Sequence, residues 1–260
     1  MRATQAVCAL AALILVWQGV VHFLAPPRYL LPSPQAVAGV FLQQPEFLLR
    51  HGLITATEIL FGLAAGSLMG FTTALLLAAL PRVGQFVWPV VLVLQALPVF
   101  VLAPVLVLWF GFGLSSKVVM TVIIIFFPVA SAFADGLNRT DPDILDAASL
   151  TPASHWQILA HIRLPLALPS LISGLRVAAP LAPLGAVVGE WVGAAGGLGF
   201  IMIQANARMQ ADQLFAAMLI LALFSVLLRL LVDRLTAGLA PWAREQAPRV
   251  ISHPERFSTS

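Results

Sequence analysis

The chain has 260 residues, 60% of them hydrophobic and only 10% charged, and its mean hydropathy is +0.96, well above the roughly 45–50% apolar content of a soluble domain. This is the composition of a membrane protein. Its 14 Lys and Arg exceed its 11 Asp and Glu by three charges, yet no basic cluster interleaved with aromatics exists to hold a phosphate backbone, which excludes a nucleic-acid surface.

Apolar runs of roughly twenty residues recur, each long enough to cross a hydrocarbon core of about 30 Å as a helix. They predict an all-α membrane protein with about six transmembrane helices. The first runs from Val7 to Leu24. It exceeds the roughly 7–15 residues of a secretory apolar region, so a retained anchor is expected. Cys8, the single cysteine, precedes this run, reads as a small core thiol, and permits no intrachain disulfide. The second crossing is expected from about Ile54 to Leu80, with Glu58 in the first turn of its helix, where a negative charge complements the dipole. Gly62, Gly66 and Gly70 recur there every fourth residue, followed by Ala74 and Ala78, laying small residues on one face for close approach of another helix.

The third crossing is expected inside the charge-free stretch Val83 to Ser116. Trp88 and Trp109 bracket it about 30 Å apart on a helix, as interfacial indoles or as two buried ones. The fourth runs from Val118 to Ala134, the fifth from Leu171 to Val188 and the sixth from Gln213 to Val232. Prolines 89, 98, 104, 180 and 183 interrupt apolar runs; they read either as kinks lining a cavity or as simple local adjustments. With the N-terminus inside, Arg2, Arg82, Arg139, Arg163, Arg176, Arg229, Arg234, Arg244, Arg249 and Arg256 fall on the cytoplasmic side, against Arg28, Arg50, Lys117 and Arg208 outside. That bias predicts both termini cytoplasmic.

Catalytic chemistry is not evident. His155 and His161 do not share the helical face that i, i+4 metal ligands need, and His22, His51 and His253 lie elsewhere. No HExxH, CxxC or GxSxG occurs. Lys117, the only lysine, sits in GFGLSSKV, which lacks the GK[ST] ending of a phosphate-binding loop. Glu190, in GEWVGAAGGLGF, closes the fifth crossing and is either a solvated edge residue or part of a pathway.

One polar stretch, 138–165, separates the fourth and fifth crossings. Pro142 followed by DILDAASL predicts a short helix. Thr151-Pro152 then predicts a second one, capped by the Thr hydroxyl with Pro at the first helical position. In that second helix Trp156, Leu159 and Ile162 fall near one side. A partly apolar helix pair needs a surface to pack against, whether a partner or the bilayer itself.

The stretch DAASLTPASHWQILAHIRLP resembles the EAA loop of the permease subunits of binding-protein-dependent ABC importers. Asp146, Ala147 and Ala148 take the Glu-Ala-Ala positions, Pro152 stands at the Gly position, and Ile162, Leu164 and Pro165 complete the Ile-x-Leu-Pro ending. Asp146 departs from the pattern by a shorter carboxylate, and Pro152 by replacing the glycine bend. LPSPQAV, LPVFVLAPVLVLWFGFG, LPLALPSLISGLRVA and GEWVGAAGGLGF extend the resemblance to the branch that imports nitrate, sulfonates, taurine and thiamine-precursor pyrimidines, and GAVVGEWVG with QANARMQADQLFAA is most similar to its pyrimidine-precursor members.

The resemblance implies a type I ABC importer permease fold in the bacterial inner (plasma) membrane. An N-terminal helix and connector would span 1–50, the permease core 51–236 and a cytoplasmic tail 237–260. It implies coupling to a cytoplasmic ATPase dimer through Asp146, Ala147, Ala148, Thr151, Pro152, Ser154, Trp156, Ile162, Leu164 and Pro165. Gln95, Glu190 and Gly193 become candidates for the translocation path or outer gate. It also implies an external solute-binding protein, a second permease copy, and no cofactor on this chain, since ATP and Mg would sit on the partner ATPase. The solute expected is a hydroxymethylpyrimidine-type thiamine precursor, with sulfonate, taurine or nitrate as alternatives; a passive channel or intramembrane enzyme, which should show a filter-like loop or a catalytic cluster, is the rival class.

Overall fold

The computed structural model describes residues 2–95 and 98–243, and among these no strand occurs. Twelve α-helices follow in chain order: α1 (Arg2–Leu24), α2 (Pro34–Gln43), α3 (Pro45–Ala79), α4 (Pro81–Gln95), α5 (Val99–Phe110), α6 (Leu114–Asn138), α7 (Pro142–Ser149), α8 (His155–Ile158), α9 (Leu164–Ala178), α10 (Ala182–Trp191), α11 (Leu198–Ala207) and α12 (Ala211–Thr236). A π-turn (Leu159–Arg163) joins α8 to α9, and a 3-10 turn (Ala179–Leu181) joins α9 to α10. The tail from 244 onward, with Arg244, Arg249 and Arg256, lies outside the described residues.

Among the described residues, five helical segments are long and apolar enough to cross a membrane alone: Val7–Leu24, Pro45–Ala79, Leu114–Asn138, His155–Trp191 and Ala211–Thr236. The third expected crossing is not one helix. It divides into α4 and α5, the second entered through Pro98 at its N-cap. Trp88 and Trp109 therefore sit on separate helices; Trp88 packs against the core and Trp109 is exposed. Proline alone does not predict the break, because Pro89, Pro104, Pro128 and Pro169 all lie inside helices. The second crossing also begins earlier than expected, at Pro45, so Glu58 lies in mid-helix and is buried at 2% exposure. Its expected role beside a helix N-terminus is thereby overturned.

The core is organised around α6. Met120, Ile125, Val129, Phe133 and Leu137 of that helix are all completely buried. Three neighbours approach it through glycine. On α3, a Cβ at Gly66 would come within 2.8 Å of Ile125 Cβ and one at Gly70 within 2.9 Å of the Phe126 carbonyl, while Gly62 abuts Thr121. On α9, Gly136 of α6 faces Ser170, and Gly174 lies 2.9 Å in the same sense from the Pro128 carbonyl. On α10, Gly185 and Gly189 face the Thr121 and Lys117 backbone at 2.7 and 2.9 Å. Lipid supplies no hydrophobic drive between helices, so this close backbone packing is the chief cohesive term. Phe71 and Phe133 stack with centroids 5.0 Å apart within the same contact zone.

The outer surface is apolar in turn. On α1, Val7, Leu10, Leu13, Leu15 and Phe23 are exposed, as a lipid-facing helix requires. Cys8 is exposed on that helix, so it is not the core thiol its sequence context suggests. Trp17 tethers α1 by donating its indole N–H to the Pro32 carbonyl at 3.0 Å and by packing on Phe215. Asp233 of α12 pairs with Arg176 of α9 at 2.8 Å and with Arg229 at 3.1 Å, and Arg229 also donates to the Arg176 carbonyl at 2.8 Å.

Candidate functional site

The polar stretch between α6 and α9 folds as a compact loop. Asp141 caps α7 by accepting the Asp143 N–H at 3.0 Å, with Pro142 at the first helical position. At the far end of α7 the Ser149 hydroxyl donates to the Asp146 carbonyl at 2.6 Å and the Thr151 hydroxyl to the Ala148 carbonyl at 2.7 Å. Thr151 therefore closes α7 and does not open the next helix. The cap of α8 is Ser154, in a reciprocal capping box: its hydroxyl accepts the Gln157 N–H at 3.3 Å while the Gln157 side chain accepts the Ser154 N–H at 2.7 Å. A Ser three residues ahead of a Gln carries the capping-box signal; Thr151-Pro152 offered a competing one, and Pro152 lies in the intervening turn.

Asp146, Ala147, Thr151, Pro152, Ser154 and Trp156 are exposed, whereas Ala148 and Leu159 are buried. Ile162, Leu164 and Pro165 are half-buried where the loop enters α9. Two large apolar side chains stand clear of the fold, Leu150 at 89% and Trp156 at 60% exposure. The loop thus presents a rim of acid, alanine and hydroxyl groups around two apolar knobs. Its base runs through the π-turn into α9 and α10 without a break, so a load applied to α8 enters a single helical run reaching Trp191.

Glu190 stands at the other end of that run and is buried at 1% exposure. Its carboxylate accepts the Thr55 hydroxyl at 2.6 Å and the N–H groups of Gly199 and Phe200. Thr55 Oγ in turn accepts the Leu198 N–H at 2.8 Å, and His51 Nδ1 accepts the Gly197 N–H at 2.9 Å. The first four N–H groups of a helix have no partner within it. For α11 all four are taken by side chains of α3 and α10. Gly197, at φ 110°, is the residue required there: its φ is left-handed and any Cβ would overlap the Glu190 carboxylate.

Glu58, three positions past Thr55 on α3, is buried near the Glu190 carboxylate and the Lys117 ammonium, and its Oε2 has no hydrogen-bond partner among the described residues. Lys117 is itself buried and donates to the Phe112 and Gly113 carbonyls, both at 2.8 Å, closing the α5–α6 turn. Gly193, also at positive φ, packs on Phe112. Gln95 is the last residue of α4 and is exposed. His51 and Thr55 carried no sequence signal, because α11 is a ten-residue apolar helix too short to register as a crossing and its capping partners lie some 140 residues away.

A glycine-packed helical membrane core with an exposed, capped two-helix loop between its central helices is the architecture of a transport permease. The chain belongs to the family described as the binding-protein-dependent transport system inner membrane component, whose profile matches residues 62–245. It is a multi-pass protein of the bacterial inner membrane. It is 46% identical over 232 residues to a probable ABC transporter permease protein of Haemophilus influenzae, covering 89% of this chain and 95% of that one. It is also 35% identical to the formylaminopyrimidine transport permease protein ThiX of Halalkalibacterium halodurans, covering 90% and 94%. Identity to the riboflavin transport system permease protein RibX of Chloroflexus aurantiacus is 34%, covering 90% and 88%. A chain from the inward-facing MetNI methionine ABC transporter superposes with a TM-score of 0.66 at 20% identity, covering 76% of this chain and 99% of that one, which shows the shared fold.

Proposed function

We propose that this chain is the membrane subunit of an ATP-driven importer, in which a partner ATPase dimer engages the loop 138–165 and an external binding protein delivers the solute. The observation that carries the reading is the exposed Leu150, at the end of α7, and Trp156, on α8, the second of the two helices, which continues without interruption into α9 and α10. Exposed apolar knobs beside the Asp146 carboxylate fit a cleft in a second protein, and the continuous helical run transmits what happens there. ATP and Mg belong to the partner, and the chain itself supplies no catalytic group to the cycle. ATP then biases the permease only through differential contact with its two states. One loop per chain and two clefts per ATPase dimer make a permease homodimer.

Glu190 and Gly193, with Thr55 and His51, form the outer latch in this reading, and Gln95 belongs to the path. The solute is a hydroxymethylpyrimidine-type thiamine precursor, supported by the 35% identity to a formylaminopyrimidine permease. The near-equal identity to a riboflavin permease supports a heteroaromatic solute of that wider kind as the second reading. The test is to purify the solute-binding protein encoded beside this gene and identify its tightest ligand by calorimetry. A pyrimidine supports the first reading, a flavin the second, and a sulfonate or nitrate overturns both.

A further inference from the structure

The loop 138–165 is fastened at its base by one side chain that the EAA pattern does not include. Arg163, the last residue of the π-turn, donates Nε and Nη2 to the Leu137 carbonyl at 3.0 and 2.8 Å, and Nη2 lies 3.4 Å from Asn138 Oδ1. Leu137 and Asn138 are the last two residues of α6. A helix leaves its final carbonyls without intrahelical donors and carries a partial negative charge there, so a guanidinium forked onto one of them is held by hydrogen bonds and by the dipole together. The bond joins the residue where the chain leaves α6 to the residue where it enters α9, 26 positions later.

The remainder of the loop has few anchors. Among its residues between Thr140 and Arg163 only Ala148 and Leu159 are buried. A cavity of about 400 Å³, lined by Gln85, Trp88, Asn138 and Arg163 among others, runs beside the junction, so α4 does not brace it closely. Below the junction the situation reverses: Gly136 lies against Ser170 and Gly174 against the Pro128 carbonyl, locking α6 to α9 backbone to backbone. Arg163 is the last residue of the π-turn Leu159–Arg163, a kind of turn that recurs at functional sites.

We propose that Arg163 is the positioning residue that makes the coupling loop and the α6–α9 pair one rigid lever, so that displacement of α7 and α8 by the ATPase moves both helices. The proposal rests on the reading that the loop docks an ATPase. Removing the guanidinium leaves the docking surface of Asp146, Leu150 and Trp156 intact but hinged, so ATP is spent without a matching movement of the core. Arg163→Lys keeps the charge at the helix terminus and loses the fork, which predicts partial coupling.

The experiment is reconstitution of the full permease, its ATPase and its binding protein in proteoliposomes, reading ATPase copurification, basal ATP hydrolysis, binding-protein-stimulated hydrolysis and solute taken up per ATP. For Arg163→Ala the expected result is wild-type copurification and basal hydrolysis with solute per ATP lowered at least tenfold; Arg163→Lys should fall between. A merely structural role would lower assembly and all rates together and leave solute per ATP unchanged, and that result overturns the proposal. Should Arg163→Ala not assemble, Arg163→Lys is read alone, and a wild-type ratio for it likewise overturns the proposal. Failure of the wild-type permease to bind the ATPase would instead defeat the underlying functional reading.

Discussion

Replacing Glu190 tests how the start of α11 is held. Its carboxylate is the shared acceptor for the Thr55 hydroxyl and for two N–H groups at the start of α11. Glu190→Ala leaves the two N–H groups buried without an acceptor, while the Thr55 hydroxyl keeps the His51 carbonyl at 3.3 Å. A buried polar group deprived of its partner costs about 1–3 kcal/mol, so the lower bound for two is about 2 kcal/mol. At about 1.4 kcal/mol per factor of ten, local opening of the first turn of α11 should rise by more than about tenfold. Glu190→Gln keeps an acceptor oxygen for the N–H groups and can donate its amide to Thr55 Oγ, so its loss is confined to charge against the helix dipole, about 0.3–2 kcal/mol. Hydrogen exchange of the Gly199 and Phe200 amides, read by mass spectrometry in detergent or nanodiscs, should rank alanine far above glutamine and glutamine slightly above wild type. Thr55→Val should raise exchange less than Glu190→Ala, and the double variant should show less than the sum, since both act on one network. Unchanged exchange at Gly199 and Phe200 in Glu190→Ala would refute the capping account.

Other substitutions probe the remaining parts. Asp146→Lys should weaken ATPase copurification and uptake while the permease still inserts, and full copurification with wild-type uptake counts against the docking assignment. Gly66→Val should disrupt the α3–α6 contact, where even a Cβ would lie 2.8 Å from Ile125, and destabilise the protein by about 1–3 kcal/mol; a thermal midpoint equal to wild type contradicts the packing. Ser154→Ala removes half of the capping box and should cost α8 about 1 kcal/mol, seen as faster exchange over residues 155–160, whereas Thr151→Ala should leave α8 exchange near wild type. Glu190→Gln serves a second purpose in uptake assays: unchanged transport and unchanged basal ATP hydrolysis would remove Glu190 from the outer gate.

Several parts of this fold were legible because apolarity and helical length coincide in them. The spans at Val7–Leu24 and Ala211–Thr236, and α7 with its Pro142 start, agree with expectation to within a few residues. The glycine ladder of α3 pointed to a close helix contact, though not to α6 as the helix it meets. Continuity was not legible: the stretch from Val83 to Ser116 is charge-free across Pro98, and four other prolines are carried inside helices, so charge and proline content do not single out the one that divides α4 from α5. The buried state of Glu58 and Glu190 was hidden for a related reason. Their polar surroundings, namely Thr55, Lys117 and the N-terminus of α11, come from three different helices, α3, α6 and α11. Within the loop, the capping box at Ser154 was masked by Thr151-Pro152, which satisfies the same local rule three residues earlier.

The central claim is that this permease moves solute under the control of an ATPase seated on the loop 138–165. Its most direct test is ATP-dependent uptake by proteoliposomes containing the permease and the ATPase, with the binding protein and its labelled ligand outside and ATP inside, run for wild type and for a variant carrying both Leu150→Glu and Trp156→Glu. The account predicts uptake that requires both ATP and the binding protein in the wild type, and loss of ATPase copurification and uptake together in the variant. Uptake that proceeds down a gradient without ATP, or a variant that binds the ATPase and transports as wild type does, would contradict it.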